Sequence, residues 1–295
     1  MVMEYCKDHD LFDYITGGAL ANEPNLVGAA KSVFHQLCDA IHFMHGNRVY
    51  HRDLKPENIM LTRDAQGRPS IRVGDFGLAT DDRFNADRGC GSDFYMAPES
   101  RRVSSDTERE LERKLGYQRF AYDPEKADVW ALGILLCNLA CGRNPWNQAS
   151  LTDAGFMHYL RSPRTALMDL LPVTEQLNNV LMRALAINPD HRPTVAELYK
   201  MVMSIRGRFR RVGVPFGAVK AEPGYIDTDM DCCSTTSKSS SDVSDDDYPR
   251  TPDSVNKQVS QWSTPATPTA QHVAAADADK PTSATRLNQL LGLVA

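Results

Sequence analysis

Apolar residues at Val27, Ala30, Phe34, Leu37, Ile41 and Met44 recur every three or four positions, which predicts a long helix with one buried face, ending near Gly46. Before it, Asp10-Leu11-Phe12-Asp13-Tyr14-Ile15 reads as a short helix stopped by Gly17-Gly18. After it, Val49-Tyr50 reads as a short strand. Ile59-Met60-Leu61 and Ile71-Arg72-Val73 flank a turn rich in Gly and Pro at 64–69, the pattern of a β-hairpin. From Asp128 the run Val129-Trp130-Ala131-Leu132-Gly133-Ile134-Leu135-Leu136 is apolar on nearly all sides, which predicts a central, buried helix. Further helices are expected over 152–161, 174–186 and 195–205, punctuated by Pro163, Pro172, Pro189 and Pro193. The fold class is therefore mainly α, with small β-hairpins.

Beyond Arg211 the pattern fades into Ser, Thr, Asp and Pro, centred on 239–247, and a sequence of that kind buries too little apolar area to offset the entropy of ordering. The division expected is a folded domain over 1–208 and a disordered regulatory tail over 209–295, whose last residues, 286–293, are read as a frayed terminus, with an amphipathic docking peptide as the alternative. The formal charge of −5 is unevenly placed: from Ala221 onward 11 acidic residues face 5 basic ones, which leaves the first 220 residues near neutral. This argues against nucleic acid as a partner. No uninterrupted apolar run is long enough for a membrane span, and no basic-then-apolar leader opens the chain, so no membrane partner is expected. The 7 cysteines show no paired Cys-x-x-Cys knuckles; reduced thiols and a cytoplasmic or nuclear setting are expected.

The chemistry-bearing residues are concentrated. His51-Arg52-Asp53-Leu54-Lys55-Pro56-Glu57-Asn58 is followed by Asp75-Phe76-Gly77 and then Ala97-Pro98-Glu99. In this order they resemble the catalytic loop, metal-binding loop and activation-segment end of the eukaryotic protein kinase family. The expected architecture is then a kinase C-terminal lobe whose small hairpins carry the catalytic and metal loops. The resemblance implies ATP and Mg2+ as cofactors, Asp53 as the base that orients and deprotonates the acceptor hydroxyl, and Lys55 as a cation for the migrating phosphate. It implies Asn58 and Asp75 as magnesium ligands, hard oxygen donors of the kind that ion prefers. Lys55 within Asp-Leu-Lys-Pro-Glu-Asn resembles the serine/threonine branch, and proteins are the implied substrates. Glu57 is open between a substrate-binding and a structural role.

The opening residues, 1–6, look like the strand and hinge between kinase lobes. Glu4 and Cys6 would offer backbone groups to adenine, Met3 would back the pocket, Asp10 would reach the ribose, and Leu11 and Met60 would cover the adenine face. Among architectural matches, Glu99 is expected to pair with Arg192, Asp128 to hold the catalytic-loop backbone, and His51 to stack with Phe76. Ser92 is expected near Asp53 and Lys55. Between Thr80 and Ser92 there is no Ser, Thr or Tyr, so Asp81, Asp82 or Asp87 is expected to give Arg52 the negative partner a phosphate often supplies. A solvated acidic loop is the competing reading. Gly89-Cys90-Gly91-Ser92-Asp93-Phe94-Tyr95-Met96 resembles certain fungal nutrient-signalling kinases.

The stretch between Glu99 and Asp128 is longer than the family usually has. It reads as an exposed charged helix at 107–114, with Ser104 after Arg101-Arg102-Val103 a candidate phosphosite. On this reading the N-terminal lobe, with its glycine-rich loop and lysine–glutamate pair, is expected to be absent. Either the start falls inside a longer reading frame, which is the expectation, or the chain is a short form. Thr251, Thr264 and Thr267, each before Pro, and Ser241 and Ser244, near acids, are candidate sites for phospho-regulators. Arg206, Arg208, Arg210 and Arg211 are read as closing a helix at its negative end, with a nuclear address as the alternative. The reading as a whole is a serine/threonine protein kinase transferring the ATP γ-phosphate; the alternative is a non-catalytic kinase-like binding module or decoy.

Overall fold

Side chains that cap backbone groups decide where most helices begin in this protein. The computed structural model describes residues 6–7, 9–64, 66–102 and 121–217. Helix α1 (Leu11–Thr16) starts where Asp10 accepts from the Asp13 amide and stops at Gly17. Helix α2 (Leu26–Gly46) starts at Asn25, whose side chain accepts from the Gly28 amide. Its buried face is Ala30, Val33, Phe34, Leu37, Cys38, Ile41 and Met44, the stripe the spacing predicts. Strands β1 (Ile59–Arg63) and β2 (Pro69–Val73) form an antiparallel hairpin in the register Ile59↔Val73 to Arg63↔Pro69. Asp64 closes the turn by accepting from the Gln66 and Arg68 amides, and Gly67 takes the left-handed backbone it needs at φ 74°.

Helix α3 (Pro124–Cys141) is the centre of the core, buried on every side from Ala127 to Cys141. Around it lie α4 (Ala154–Arg161), α5 (Ala166–Leu170), α6 (Glu175–Ala184) and α7 (Val195–Ser204). The indoles of Trp130 and Trp146 pack at 5.9 Å, with Phe156 and Tyr159 beside them, so large rings fill the space between α3 and α4. Full burial of each such ring stabilises by about 1.5–3 kcal/mol. The long α2 lies against β2, α3 and α7 and so joins the hairpin to the helical core.

Several expectations need correction. Val49-Tyr50 is not a strand; Tyr50 makes one antiparallel bridge, to Thr80. α3 begins at Pro124 rather than Asp128, because Asp123 caps it by accepting from the Glu125 amide and Pro124 suits the first turn. α5 was not expected; it is a single short turn between prolines. The folded part does not stop at 208. Phe209 is fully buried, Arg210 bridges Val173, and the Gly217 amide donates to Cys141 O at 2.9 Å. Phe216 also packs over Gly142, whose left-handed backbone ends α3. The end of α7 is closed not by the arginines after it but by Lys31 of α2, which donates to Ile205 O at 2.6 Å; Arg211 instead donates to Met168 O and Leu171 O at the end of α5. The expected charged helix at 107–114, Ser104 and the tail from 218 lie outside the described residues.

Candidate active site

The loop from His51 to Asn58 leaves the Tyr50–Thr80 bridge and ends in a single turn, Pro56–Asn58, that leads into β1. Asp128 of α3, 1% exposed, holds it from beneath. One carboxylate oxygen accepts from the His51 amide and from His45 Nε2, the other from the Arg52 amide, all at 2.9 Å. These bonds fix Arg52 at φ 69°, a left-handed conformation that costs a non-glycine residue of order 1 kcal/mol or more. His51 then ties two loops together. Its Nε2 donates to Gly74 O at 2.9 Å, its Nδ1 accepts from the Asp53 amide at 3.3 Å, and its ring lies 5.3 Å from that of Phe76. Those partners define the neutral Nε2–H tautomer.

Asp53, 8% exposed, is the hub. Its Oδ1 accepts from both the amide and the hydroxyl of Ser92 at 2.9 Å. Its Oδ2 lies 3.1 Å from Lys55 Nζ and 3.2 Å from Asn58 Nδ2. Lys55 Nζ also donates to Ser92 Oγ at 3.0 Å, and Asn58 Nδ2 to Asp53 O at 2.8 Å. Asp53, Lys55, Asn58 and Ser92 thus share one hydrogen-bonded cluster.

Asp75 is brought alongside by the hairpin. The Gly74 amide donates to Asn58 O at 2.8 Å, which extends the β1–β2 pairing by one step and sets Asp75 just past Asn58. Asp75 is exposed, sits at φ 55°, and its Oδ1 accepts from the Gly77 amide at 3.2 Å. The Asn58 amide nitrogen is spent on Asp53, which leaves its oxygen facing away from that carboxylate.

The nucleotide-contact expectations fare unevenly. Glu4 and Met3 lie outside the described residues. Cys6 is a half-buried free thiol. Asp10 and Met60 are joined by a backbone bridge, and Met60 is half-buried, while the Asp10 side chain caps α1 at 2.8 Å from the Asp13 amide. Leu11 is fully buried and belongs to the core, so the adenine-facing role expected for it is withdrawn. Glu57 is exposed.

The activation segment is fastened along its length. Thr80 pairs with Tyr50 and Asn85 with Tyr122 through antiparallel bridges, and the Gly89 amide donates to Ser100 O at 2.8 Å. Arg83 pairs with Asp123 and, at 3.5 Å, with Glu125, while its guanidinium lies over the Phe84 ring at 5.4 Å. Arg52 Nη2 donates to Asp87 Oδ2 at 3.0 Å. Hydrogen bonds from the Cys90 thiol and then from Arg52 hold the Asp87 carboxyl below its usual range. At the segment's end Arg192 grips Glu99 with both terminal nitrogens, at 2.5 and 2.8 Å, in a buried bidentate pair. His45, Arg83 and Tyr122 are the contributors the sequence reading missed. The first has a partner 83 positions away, which no local pattern signals.

A buried carboxylate holding a left-handed Arg52, a polar cluster centred on Asp53 and a segment closed by Glu99–Arg192 are the marks of a protein kinase. The family model described as protein kinase domain matches residues 1–203, and the chain belongs to that family, in its serine/threonine branch. It is 40% identical over 220 residues to the negative regulator of sexual conjugation and meiosis of Schizosaccharomyces pombe, covering 72% of this chain and 45% of that protein. It is 36% identical over 207 residues to serine/threonine-protein kinase ksp1 of the same yeast, covering 70% and 40% respectively. With serine/threonine-protein kinase VHS1 of Saccharomyces cerevisiae the identity is 35% over 214 residues, covering 70% and 43%. The chain spans less than half the length of these relatives.

Proposed function

We propose that this protein transfers the γ-phosphoryl group of ATP, with magnesium, to serine and threonine hydroxyls of other proteins. The observation that carries the reading is the cluster in which Asp53 Oδ2 meets Lys55 Nζ at 3.1 Å while Oδ1 is occupied by Ser92 at 2.9 Å. Asp53 is thereby held with one oxygen facing the cation, in a position to orient an acceptor hydroxyl and take its proton. Lys55 sets a fixed positive charge beside that oxygen, where charge on a migrating phosphoryl group is neutralised. Ser92 anchors both and keeps the activation segment against the loop.

The residues fit magnesium. Asn58 offers an amide oxygen and Asp75 an exposed carboxylate, a hard-oxygen pair of the size this ion takes from protein when phosphate oxygens complete its shell. When bound, the ion neutralises phosphate charge. We assign the adenosine to the side of β1 where Asp10 and Met60 meet, with the backbone of Cys6 at the adenine edge. The described elements are on this reading those of the larger kinase lobe, the tail from 218 is a regulatory segment acted on by other kinases, and the setting is cytoplasmic or nuclear.

The test uses the full-length natural protein, ATP labelled at the γ position and mixed protein substrates, followed by phosphoamino-acid analysis. Magnesium-dependent phosphoserine and phosphothreonine are expected. A folded protein that captures substrates yet transfers no label would replace the kinase reading by a binding module.

A further inference from the structure

We propose that Arg143, Arg210 and Arg211, gathered where α3 and α5 end, form a phosphate-binding site on the folded domain, separate from the Asp53 cluster. The site lies past the C-terminal end of α3, whereas Asp128, which holds the catalytic loop, lies near the N-terminal end of that helix. At about 1.5 Å per residue, the helix carries Cys141 about 20 Å from Asp128, so one phosphate cannot serve both places.

The chain brings the three guanidiniums together from two directions. Arg143 follows Gly142, the left-handed residue that ends α3, and its Nη2 donates to Leu170 O. Arg210 forms an antiparallel bridge with Val173, and the Arg211 amide donates to Pro172 O at 2.7 Å. Arg211 Nη2 then reaches Met168 O at 2.7 Å and Leu171 O at 3.3 Å. Burial pushes the Cys141 thiol up, and Arg210, Arg143 and Arg211 all pull against it, so the three charges lie around that one sulfur.

These charges have no carboxylate partner. Among the described residues no Asp or Glu lies within ion-pair distance of Arg143, Arg210 or Arg211; Asp169 faces His158 at 3.0 Å, and Glu175 is exposed at the start of α6. Arg210 rests over the Phe216 ring at 5.2 Å, a contact that brings no full negative charge. Arg143 Nε and Arg210 Nη1 are buried with no hydrogen-bond partner. The carbonyl ends of α3 and α5 supply at most about half a negative charge each, which leaves an excess of about two positive charges. Capping of α5 accounts for the carbonyl contacts and leaves that excess standing. A phosphate monoester carries about −1.5 to −2 at neutral pH, close to the excess, and its oxygens match the guanidinium fork. A single carboxylate would offset only about half of it. Arg211 is exposed and Arg143 and Arg210 are half-buried, so the ligand enters from solvent, and the exposed Arg206 and Arg208 nearby in the chain add to the attraction.

The experiment uses the full-length natural protein, treated with phosphatase and desalted so that no phosphate of its own fills the site. The probes are inorganic phosphate, a short alanine–glycine peptide carrying one phosphoserine, and the same peptide with serine. Binding is read by calorimetry and by the rise in melting temperature against sodium chloride of equal ionic strength. Phosphate and phosphopeptide are expected to bind, and the serine peptide to fail. Arg210→Gln and Arg211→Gln should each weaken binding about tenfold or more, Arg211→Lys should recover part of the loss, and Lys55→Ala should leave binding unchanged. If Arg210→Gln does not fold, the exposed Arg211 carries the test. Phosphopeptide binding at least as tight as that of phosphate assigns the site to protein-borne phosphate, and binding of phosphate alone assigns it to the free ion; both uphold the site. Absence of binding, equal stabilisation by chloride, an Arg211→Gln affinity equal to wild type, or loss of binding in Lys55→Ala overturns it. Phosphoryl transfer is read separately from labelled ATP, so failure here leaves the kinase reading intact.

Discussion

Glu99→Ala should be among the most damaging single changes outside the Asp53 cluster. Arg192 is fully buried on its side-chain atoms, and Glu99 is its carboxylate partner, bound through both oxygens at 2.5 and 2.8 Å. Arg192 keeps other partners in the variant: Nη1 donates to Lys126 O at 2.9 Å, Nε donates to Ala186 O at 2.8 Å, and the Trp130 ring lies 4.8 Å from the guanidinium. Its donors stay partly satisfied while its charge does not. Breaking a buried pair in this way costs about 3–5 kcal/mol. In a domain of this size each kcal/mol lowers the melting temperature by about 2–4 °C, so a fall of about 10 °C is expected. Thermal unfolding followed by circular dichroism reads it directly. Replacing both partners by apolar residues, Glu99→Leu with Arg192→Met, should recover part of the loss, because no charge is then stranded. A Glu99→Ala protein melting within about 2 °C of wild type would show that solvent or relaxation compensates the charge, and would refute the argument.

Four other outcomes are expected. Gly91→Ala should cut turnover sharply, since φ there is 112° and a Cβ would sit 2.6 Å from Arg52 O, the carbonyl of a residue whose amide donates to Asp128; steady-state kinetics of a soluble variant checks it. Phe209→Ala should cost about 3–5 kcal/mol in urea unfolding, because a fully buried ring is removed; a negligible loss would return the domain boundary to 208. Burial pushes the Cys141 thiol up to about 12 and those of Cys38 and Cys137 upward too, so at mildly alkaline pH iodoacetamide should label none of them in the native protein; peptide mapping that finds them alkylated contradicts this. Because the folded Asp87 carboxyl titrates below its unfolded value, its contribution persists above the ordinary carboxylate range and is lost only as pH falls through the depressed pKa; the Arg52–Asp87 coupling from double-mutant cycles should therefore be the same at neutral and mildly acidic pH.

The parts of the fold that sequence made legible are those set by periodicity. The stripe from Ala30 to Met44, the hairpin of Ile59 and Val73 and the all-round apolar α3 each follow from local spacing. What escaped depends on a few side chains acting at ends or over distance. Asp123 moved the start of α3, and Phe209 with Phe216 held a basic, polar stretch that composition alone assigns to the tail. Leu11 was misassigned because an apolar residue beside a hinge serves a ligand or a core equally well by type, and its burial decided for the core. At the site, the ordered motifs pointed to Asp53, Lys55 and Asn58, which share one loop, while Ser92 and Asp128 reach that loop from the activation segment and from α3. The choice of Asp87 among three nearby acids needed the direction of the Arg52 side chain, which no pattern records.

The measurement that bears most directly on the central claim is turnover of Asp53→Asn in the full-length natural protein. The variant keeps the side-chain shape and the contacts with Ser92 and removes the base. A loss of about 10²–10⁴ in kcat, with melting temperature and ATP affinity unchanged, is the predicted result. A variant that turns over within about twofold of wild type would contradict the account, because the cluster around Asp53 would then not be where the phosphoryl group is transferred.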